Sequence, residues 1–154
     1  NSLSDAYYTD CQHGVEISGN RILAYDNGMD DRDYSRISEY EVDESTMTAT
    51  LTWTWTEDKW DADWLGDVDY ITPDRMLVTQ GEQDCAWGSG DDVKTRIVEV
   101  DRETGEAVWR GQFADDGFMA YRGQRIDACD VIPHVGWCAD VATAYGAVAG
   151  IFAD

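Results

Sequence analysis

The sequence predicts an all-β protein, a β-propeller segment of about two to three four-stranded blades. Three observations predict this fold. Apolar and polar residues alternate in short runs rich in β-branched and aromatic side chains. Only two prolines occur among 154 residues, which leaves strand ladders unbroken. The chain also repeats its own pattern at a spacing of about 50 to 60 residues, a period that fits one blade.

The first repeat unit covers about residues 12–60. Its opening run, GVEIS, is followed by the turn formers SGN, and DNG ends the next run. Alternation in LTWTWT predicts that Leu51, Trp53 and Trp55 share one face of the last strand. Further strand patterns of this unit lie at 21–25, 35–42 and 48–55.

The second unit covers about residues 64–113 and repeats the first. Arg21 corresponds to Arg75, and Asp43 corresponds to Asp101 at the start of a D-x-x-T turn. A closing segment at 118–128 completes the blade region, 1–128, and a tail follows at 129–154. No helix is predicted before about residue 139. The remaining strand patterns lie at 75–80, 95–100 and 106–113.

A closed propeller needs at least four blades, which is more than this chain supplies. The sequence therefore predicts that other polypeptide, either separate chains or a missing N-terminal part, covers the open blade faces and completes the ring. A compact two-sheet sandwich built from the same strands is the alternative fold.

The net charge of −21 excludes several classes of partner. Nucleic acid phosphates and anionic membranes would be repelled. The longest uncharged run, 141–152, is too short to span a bilayer. We expect no metal or cofactor, although the carboxylates of the loop 26–35 leave Ca²⁺ binding open at a spacing that is not that of an EF-hand.

Four cysteines, none in a C-x-x-C pair, indicate two disulfides and an oxidising compartment. Of the three connectivities, we favour Cys129 with Cys138 and Cys11 with Cys85; buried free thiols are the alternative. The second histidine, His134, lies within the loop that the first of these pairs would close, which indicates a structural role.

The residues around His13 leave two interpretations open. A neutral imidazole is a competent nucleophile near neutral pH, but a histidine at the mouth of a propeller can instead bind backbone. The run Asp26-Asn27-Gly28 is typical of a turn in which glycine supplies a positive φ. Arg36 is expected to pair with Glu39 or Glu41 across a strand.

Five segments in order carry a resemblance to a known family: Gln12-His13, ILAYDNG, YSRISEYEVD (34–43), LTWTW and YRGQRI (121–126). This order resembles the C-terminal part of the bacterial arylsulfate sulfotransferases, six-bladed propellers of the periplasm or cell exterior. The resemblance covers residues 12 to about 126. It implies an extracellular or periplasmic location. The family's other active-site histidines and a sulfate-binding arginine lie in earlier blades, which this chain does not contain.

The resemblance implies that His13 attacks the sulfuryl group of an aryl sulfate, forms a transient sulfohistidine and passes the group to a phenol. The candidate substrate-binding residues are Arg36, Tyr121 and Arg122, and Arg32 and Arg125 are also placed to supply positive charge for the anion. For Tyr121 and Arg122, a packing pair that caps the last blade is the alternative. The alternative is a non-catalytic extracellular propeller segment that serves in binding or assembly. Whether the chain is an enzyme is left open between these two.

Overall fold

The computed structural model describes residues 9–28, 32–57, 60–81, 95–113 and 120–126. These residues contain eight β-strands and no helix. The first four strands are β1 (Gln12–Ser18), β2 (Arg21–Asp26), β3 (Arg36–Asp43) and β4 (Thr48–Trp55). The second four are β5 (Asp67–Thr72), β6 (Arg75–Thr79), β7 (Arg96–Asp101) and β8 (Ala107–Gln112).

The strands form two antiparallel four-stranded sheets, each built from four consecutive strands. Sheet 1 has the order β1-β2-β3-β4, and sheet 2 has the order β5-β6-β7-β8. The predicted all-β class is thereby confirmed, and β2 to β4 and β6 to β8 lie within one residue of the predicted ranges, because period-two alternation with intervening turn residues locates such strands well.

The turn between the third and fourth strand is the same in both sheets. Asp43 Oδ1 accepts hydrogen bonds from the backbone N–H groups of Ser45 and Thr46. Asp101 Oδ1 accepts the matching bonds from Glu103 and Thr104. Short aspartate side chains stabilise turns in this way, which is why the D-x-x-T repeat is visible in the sequence.

One core lies between the two sheets. Directly paired residues such as Val68, Val78 and Val98 share a face, and this face meets the apolar face of sheet 1. Trp60 and Ala62, in the connection between the sheets, are fully buried in the same cluster. The sheet residues of the core are Leu23, Tyr25, Ile37 and Trp55 from sheet 1, and Val68, Met76, Val78, Val98 and Val100 from sheet 2.

The prediction that Leu51, Trp53 and Trp55 share one face is wrong for Leu51. The pairing of β3 with β4 shifts register between Glu39, opposite Trp53, and Tyr40, opposite Leu51. Since neighbouring residues of a strand point to opposite faces, this irregularity moves Leu51 away from the face that carries Trp53. Trp55 is buried in the core and Trp53 packs against it.

A buried carboxylate joins the two sheets. Glu39 of β3 has no exposed surface. It pairs with Arg102 Nη2 at 2.5 Å and accepts a hydrogen bond from the hydroxyl of Tyr70 at 2.7 Å, both from sheet 2. Burial opposes ionisation of Glu39, but the bonds from Arg102 and Tyr70 outweigh it and hold the pKa below the ordinary glutamate value.

The opposite face of sheet 1 carries exposed apolar side chains on its first strand. Val15 is 52% exposed and Ile17 is 69% exposed. The first compact unit of the chain ends at Gly123, and residues 124–126 belong to the second unit. The predicted tail, 129–154, lies outside the described residues, as do Cys85, Cys129 and Cys138, one or both partners of each predicted disulfide.

The ion pair between Glu39 and Arg102 generates a stability prediction. Arg102→Ala leaves the Glu39 carboxylate buried without its guanidinium, and we expect the free energy of unfolding to fall by about 2–4 kcal/mol near pH 7. This difference in the free energy of unfolding shrinks as pH falls through the ordinary pKa range of glutamate. Protonation of Glu39 removes the unpaired buried charge in the variant and the stabilising ion pair in the wild type. Urea unfolding at several pH values measures both effects.

The matched control is Arg110→Ala, which removes a half-exposed guanidinium paired with Glu57. Exposed pairs contribute about 0–1 kcal/mol, so this variant should unfold close to wild type. Equal losses for Arg102→Ala and Arg110→Ala would show that Glu39 does not join the sheets in the way described.

Candidate functional site

His13 lies at the start of β1, where the backbone departs from regular strand geometry. Cys11 has a φ of +52° and Gly14 a φ of +48°. The pairing of β1 with β2 is irregular between His13 and Glu16. A positive φ at a non-glycine residue such as Cys11 costs about 1–2 kcal/mol, and strain of this kind concentrates at functional sites. The imidazole is partly buried.

Asn27 fixes which nitrogen of His13 carries the proton. The Asn27 side-chain amide donates from Nδ2 to the carbonyl oxygens of Ala62, at 2.6 Å, and Leu65, at 2.9 Å. Two carbonyl acceptors require the NH₂ group on that side, so Oδ1 faces His13 Nδ1 at 2.8 Å. The carbonyl of Cys11 lies 3.1 Å from the same nitrogen.

Both partners of His13 Nδ1 are acceptors, so Nδ1 carries the hydrogen in the neutral ring. Nε2 is therefore left with its lone pair, which is the form a nucleophile or a base needs. The sequence predicted a positive φ at Gly28, and its φ of +78° confirms this. Asp26 is the last residue of β2, and the interpretation of the run as a turn missed this role of Asn27. The motif drew attention to the right three residues without revealing what the amide contacts.

Asp26 holds two arginines. Its carboxylate is fully buried and lies 2.6 Å from Arg32 Nη2 and 2.8 Å from Arg36 Nε. The structure pairs Arg36 with Asp26, whereas the sequence favoured Glu39 or Glu41 as its partner. Asp26 is the cross-strand partner of Gln12, the residue before His13.

Asp67, at the start of β5, reaches the residue that follows His13. A Cβ atom built on Gly14 would lie 2.5 Å from Asp67 Oδ1 and 2.6 Å from Asp67 Cα, so only glycine fits at position 14. The Asp67 side chain is 6% exposed. Nothing in the run GDVDY distinguished this carboxyl from the many other aspartates of the sequence.

Arg122 lies next to Asp67. Its Nε is 3.7 Å from Asp67 Oδ1, and its side chain is 64% exposed. Tyr121, also exposed, has its ring 5.8 Å from the Arg122 guanidinium carbon. The predicted residues His13 and Arg122 are thus both found beside the short contact between Gly14 and Asp67. Arg125 belongs to the second compact unit.

Two described cavities lie away from His13. One, of about 600 Å³, is lined by residues around Asn20 and the Asp43 turn. The other, of about 360 Å³, is lined by Ser18, Arg21, Tyr70, Thr72 and Pro73. Both cavities are lined by residues of hairpin turns, which lie at the end of the strands away from His13. Among the described residues, no cluster of three or more histidine, cysteine or carboxylate side chains is arranged to hold a metal ion.

Within the part of the chain that the structure describes, no helix is long and apolar enough to cross a membrane.

The comparison with protein families agrees with the segments around His13. The model of the arylsulfotransferase (ASST) family matches residues 4–122, which is more than half of the chain and includes both sheets. No curated protein matches the sequence significantly.

The amide of Asn27 generates a spectroscopic prediction. In the wild type, the neutral His13 ring should carry its hydrogen on Nδ1, as ¹⁵N NMR of the imidazole reports directly. Asn27→Ala should shift the ring toward the Nε2–H tautomer and destabilise the fold by about 1–3 kcal/mol, because the carbonyls of Ala62 and Leu65 lose their donor.

Asn20→Ala is the matched control. Asn20 is an exposed turn residue of the same sheet, and its amide binds Glu41. This variant should leave the His13 signals unchanged. An Nε2–H tautomer in the wild type, or no tautomer change in Asn27→Ala, would contradict the assignment of Asn27.

Proposed function

Since the chain belongs to the arylsulfotransferase family, we propose that it transfers a sulfuryl group from an aryl sulfate to a phenol, with His13 as the nucleophile. The observation that carries the proposal is the bond from His13 Nδ1 to Asn27 Oδ1, which places the lone pair of the neutral ring on Nε2. Nε2 attacks sulfur, the S–O bond to the aryl group breaks, and a sulfohistidine forms. The acceptor phenol then attacks the same sulfur and releases the imidazole.

Charge supports the same assignment. A sulfuryl group carries negative charge in both states, and arginine side chains match its oxygens. The exposed guanidinium of Arg122 lies near Asp67, whose carboxyl approaches Gly14, the residue after His13. We assign anion binding to Arg122 with Tyr121 beside it. Arg36 contributes through the field of its ion pair with Asp26.

We also propose that the two sheets are neighbouring propeller blades. Each sheet is a meander of four consecutive strands, as blades are, whereas Greek-key sandwiches exchange strands between their sheets. The first strands of the two sheets are adjacent, since Glu16 of β1 accepts a hydrogen bond from the backbone N–H of Tyr70 in β5. The exposed Val15 and Ile17 then face the position of a preceding blade, supplied by polypeptide outside this chain.

The proposed location is extracellular or periplasmic, as the family resemblance implies. A non-catalytic propeller segment is the second candidate function. The exposed apolar side chains on β1 favour association for either candidate, so they do not decide between the two. The orientation of His13 by a buried amide favours the enzyme, because an assembly module has no need for a single tautomer.

Release of nitrophenolate tests the proposal. Incubated with 4-nitrophenyl sulfate and a phenol acceptor, the protein in its native assembly should release 4-nitrophenolate. His13→Ala should lower the rate of release at least about 1000-fold, because the sulfohistidine cannot form. His134→Ala, which changes the only other histidine, should retain the wild-type rate. A wild-type assembly without activity, or an active His13→Ala, would support the non-catalytic module or another nucleophile.

A further inference from the structure

Asp67 is a buried carboxyl that closely approaches Gly14, the residue after His13, and the transfer proposed above does not yet use it. Its Oδ1 occupies the space where any side chain at position 14 would begin. This carboxyl therefore contacts the backbone at Gly14, whose Cα lies about 3.8 Å from the Cα of His13. Glycine at position 14 lets the two strands approach this closely.

Transfer between phenols needs a group that gives and takes a proton. The leaving aryl oxygen gains negative charge as the S–O bond breaks, and the acceptor hydroxyl must lose its proton when it attacks. His13 cannot serve both steps, because Nε2 is bonded to sulfur and Nδ1–H is held by Asn27. The amide oxygen of Asn27 cannot take up that proton either, unlike the carboxylate of a Ser-His-Asp triad.

The surroundings of Asp67 allow it to hold a proton near neutral pH. Burial and the like charge of Asp69 raise its pKa to about 6, Arg122 acts in the opposite direction, and Glu16 of β1 adds a smaller upward push. The charged groups that face it are therefore Asp69 on its own strand, Glu16 on β1 and Arg122 on the segment after sheet 2.

We propose that Asp67 is the acid–base residue of the sulfuryl transfer, an inference that rests on the proposed function. In the first half-reaction, the protonated Asp67 gives its proton to the departing aryl oxygen as sulfur bonds to His13 Nε2. The products are a phenol, a sulfohistidine and the Asp67 carboxylate. In the second half-reaction, this carboxylate takes the proton of the acceptor phenol as its oxygen attacks sulfur, and both residues return to their starting forms.

Arg122 couples substrate binding to this proton. In the free protein, its guanidinium lies 3.7 Å from Asp67 Oδ1 and favours the carboxylate. When the sulfuryl oxygens of a bound aryl sulfate share that positive charge, the carboxylate loses part of its stabilisation and Asp67 retains its proton. The acid form is therefore favoured when an aryl sulfate is bound.

The dependence of the rate on the leaving group tests the proposal. Phenyl sulfate releases a basic phenolate and needs protonation, whereas 4-nitrophenyl sulfate releases a stable one. Asp67→Asn should slow turnover of phenyl sulfate about 100-fold or more and that of 4-nitrophenyl sulfate less than about tenfold. The wild-type kcat/KM for phenyl sulfate should fall as pH rises through about 6, where Asp67 deprotonates, and this limb should vanish in Asp67→Asn.

Asp69→Asn is the matched control, because it removes a carboxylate from the same strand while leaving Asp67 in place. This variant should keep both rates within about threefold of wild type. Its kcat/KM for phenyl sulfate should still fall as pH rises, but at a lower pH, because loss of the like charge of Asp69 lowers the pKa of Asp67. If Asp67→Asn slows both substrates equally, Asp67 only supports the structure and the inference fails, while His13 transfer stands. If the wild-type protein turns over neither aryl sulfate, the proposed function fails, and the inference with it.

Discussion

The buried amide of Asn27 is the contact on which the site depends. It links the end of β2 to the connection between the two sheets through Ala62 and Leu65, and it turns its oxygen to His13. Ser35 adds to this link by donating from its hydroxyl to the Asn27 carbonyl oxygen. The same side chain therefore fixes the connection between the sheets against the end of β2 and selects the ring tautomer of His13.

The acidic composition makes the local charge pattern informative. In a chain with a net charge of −21, a sulfuryl anion is repelled by the whole protein and must be held by nearby groups. Two guanidiniums share the single carboxylate of Asp26, while Arg122 is only loosely engaged with Asp67. Burial and the like charge of Asp69 raise the pKa of Asp67, the carboxyl that approaches Gly14, to about 6.

Local patterns predicted the strands, but contacts between distant residues decide the site. Alternation and the D-x-x-T turns located β2 to β4 and β6 to β8, because these depend on near neighbours. The face of Leu51 depends on a cross-strand register shift that no local pattern contains. Asn27 and Asp67 gain their roles only when residues 62–65 and Gly14 come against them, and these contacts require the sheets to have stacked.

The most direct test is the position of the sulfuryl group on a trapped intermediate. The protein in its native assembly is reacted with 4-nitrophenyl sulfate without acceptor, and ¹⁵N NMR and mass spectrometry then locate the SO₃ group. The account predicts modification of His13 at Nε2, with Nδ1 still bearing its hydrogen toward Asn27. Modification at Nδ1, or on a residue other than His13, would contradict it.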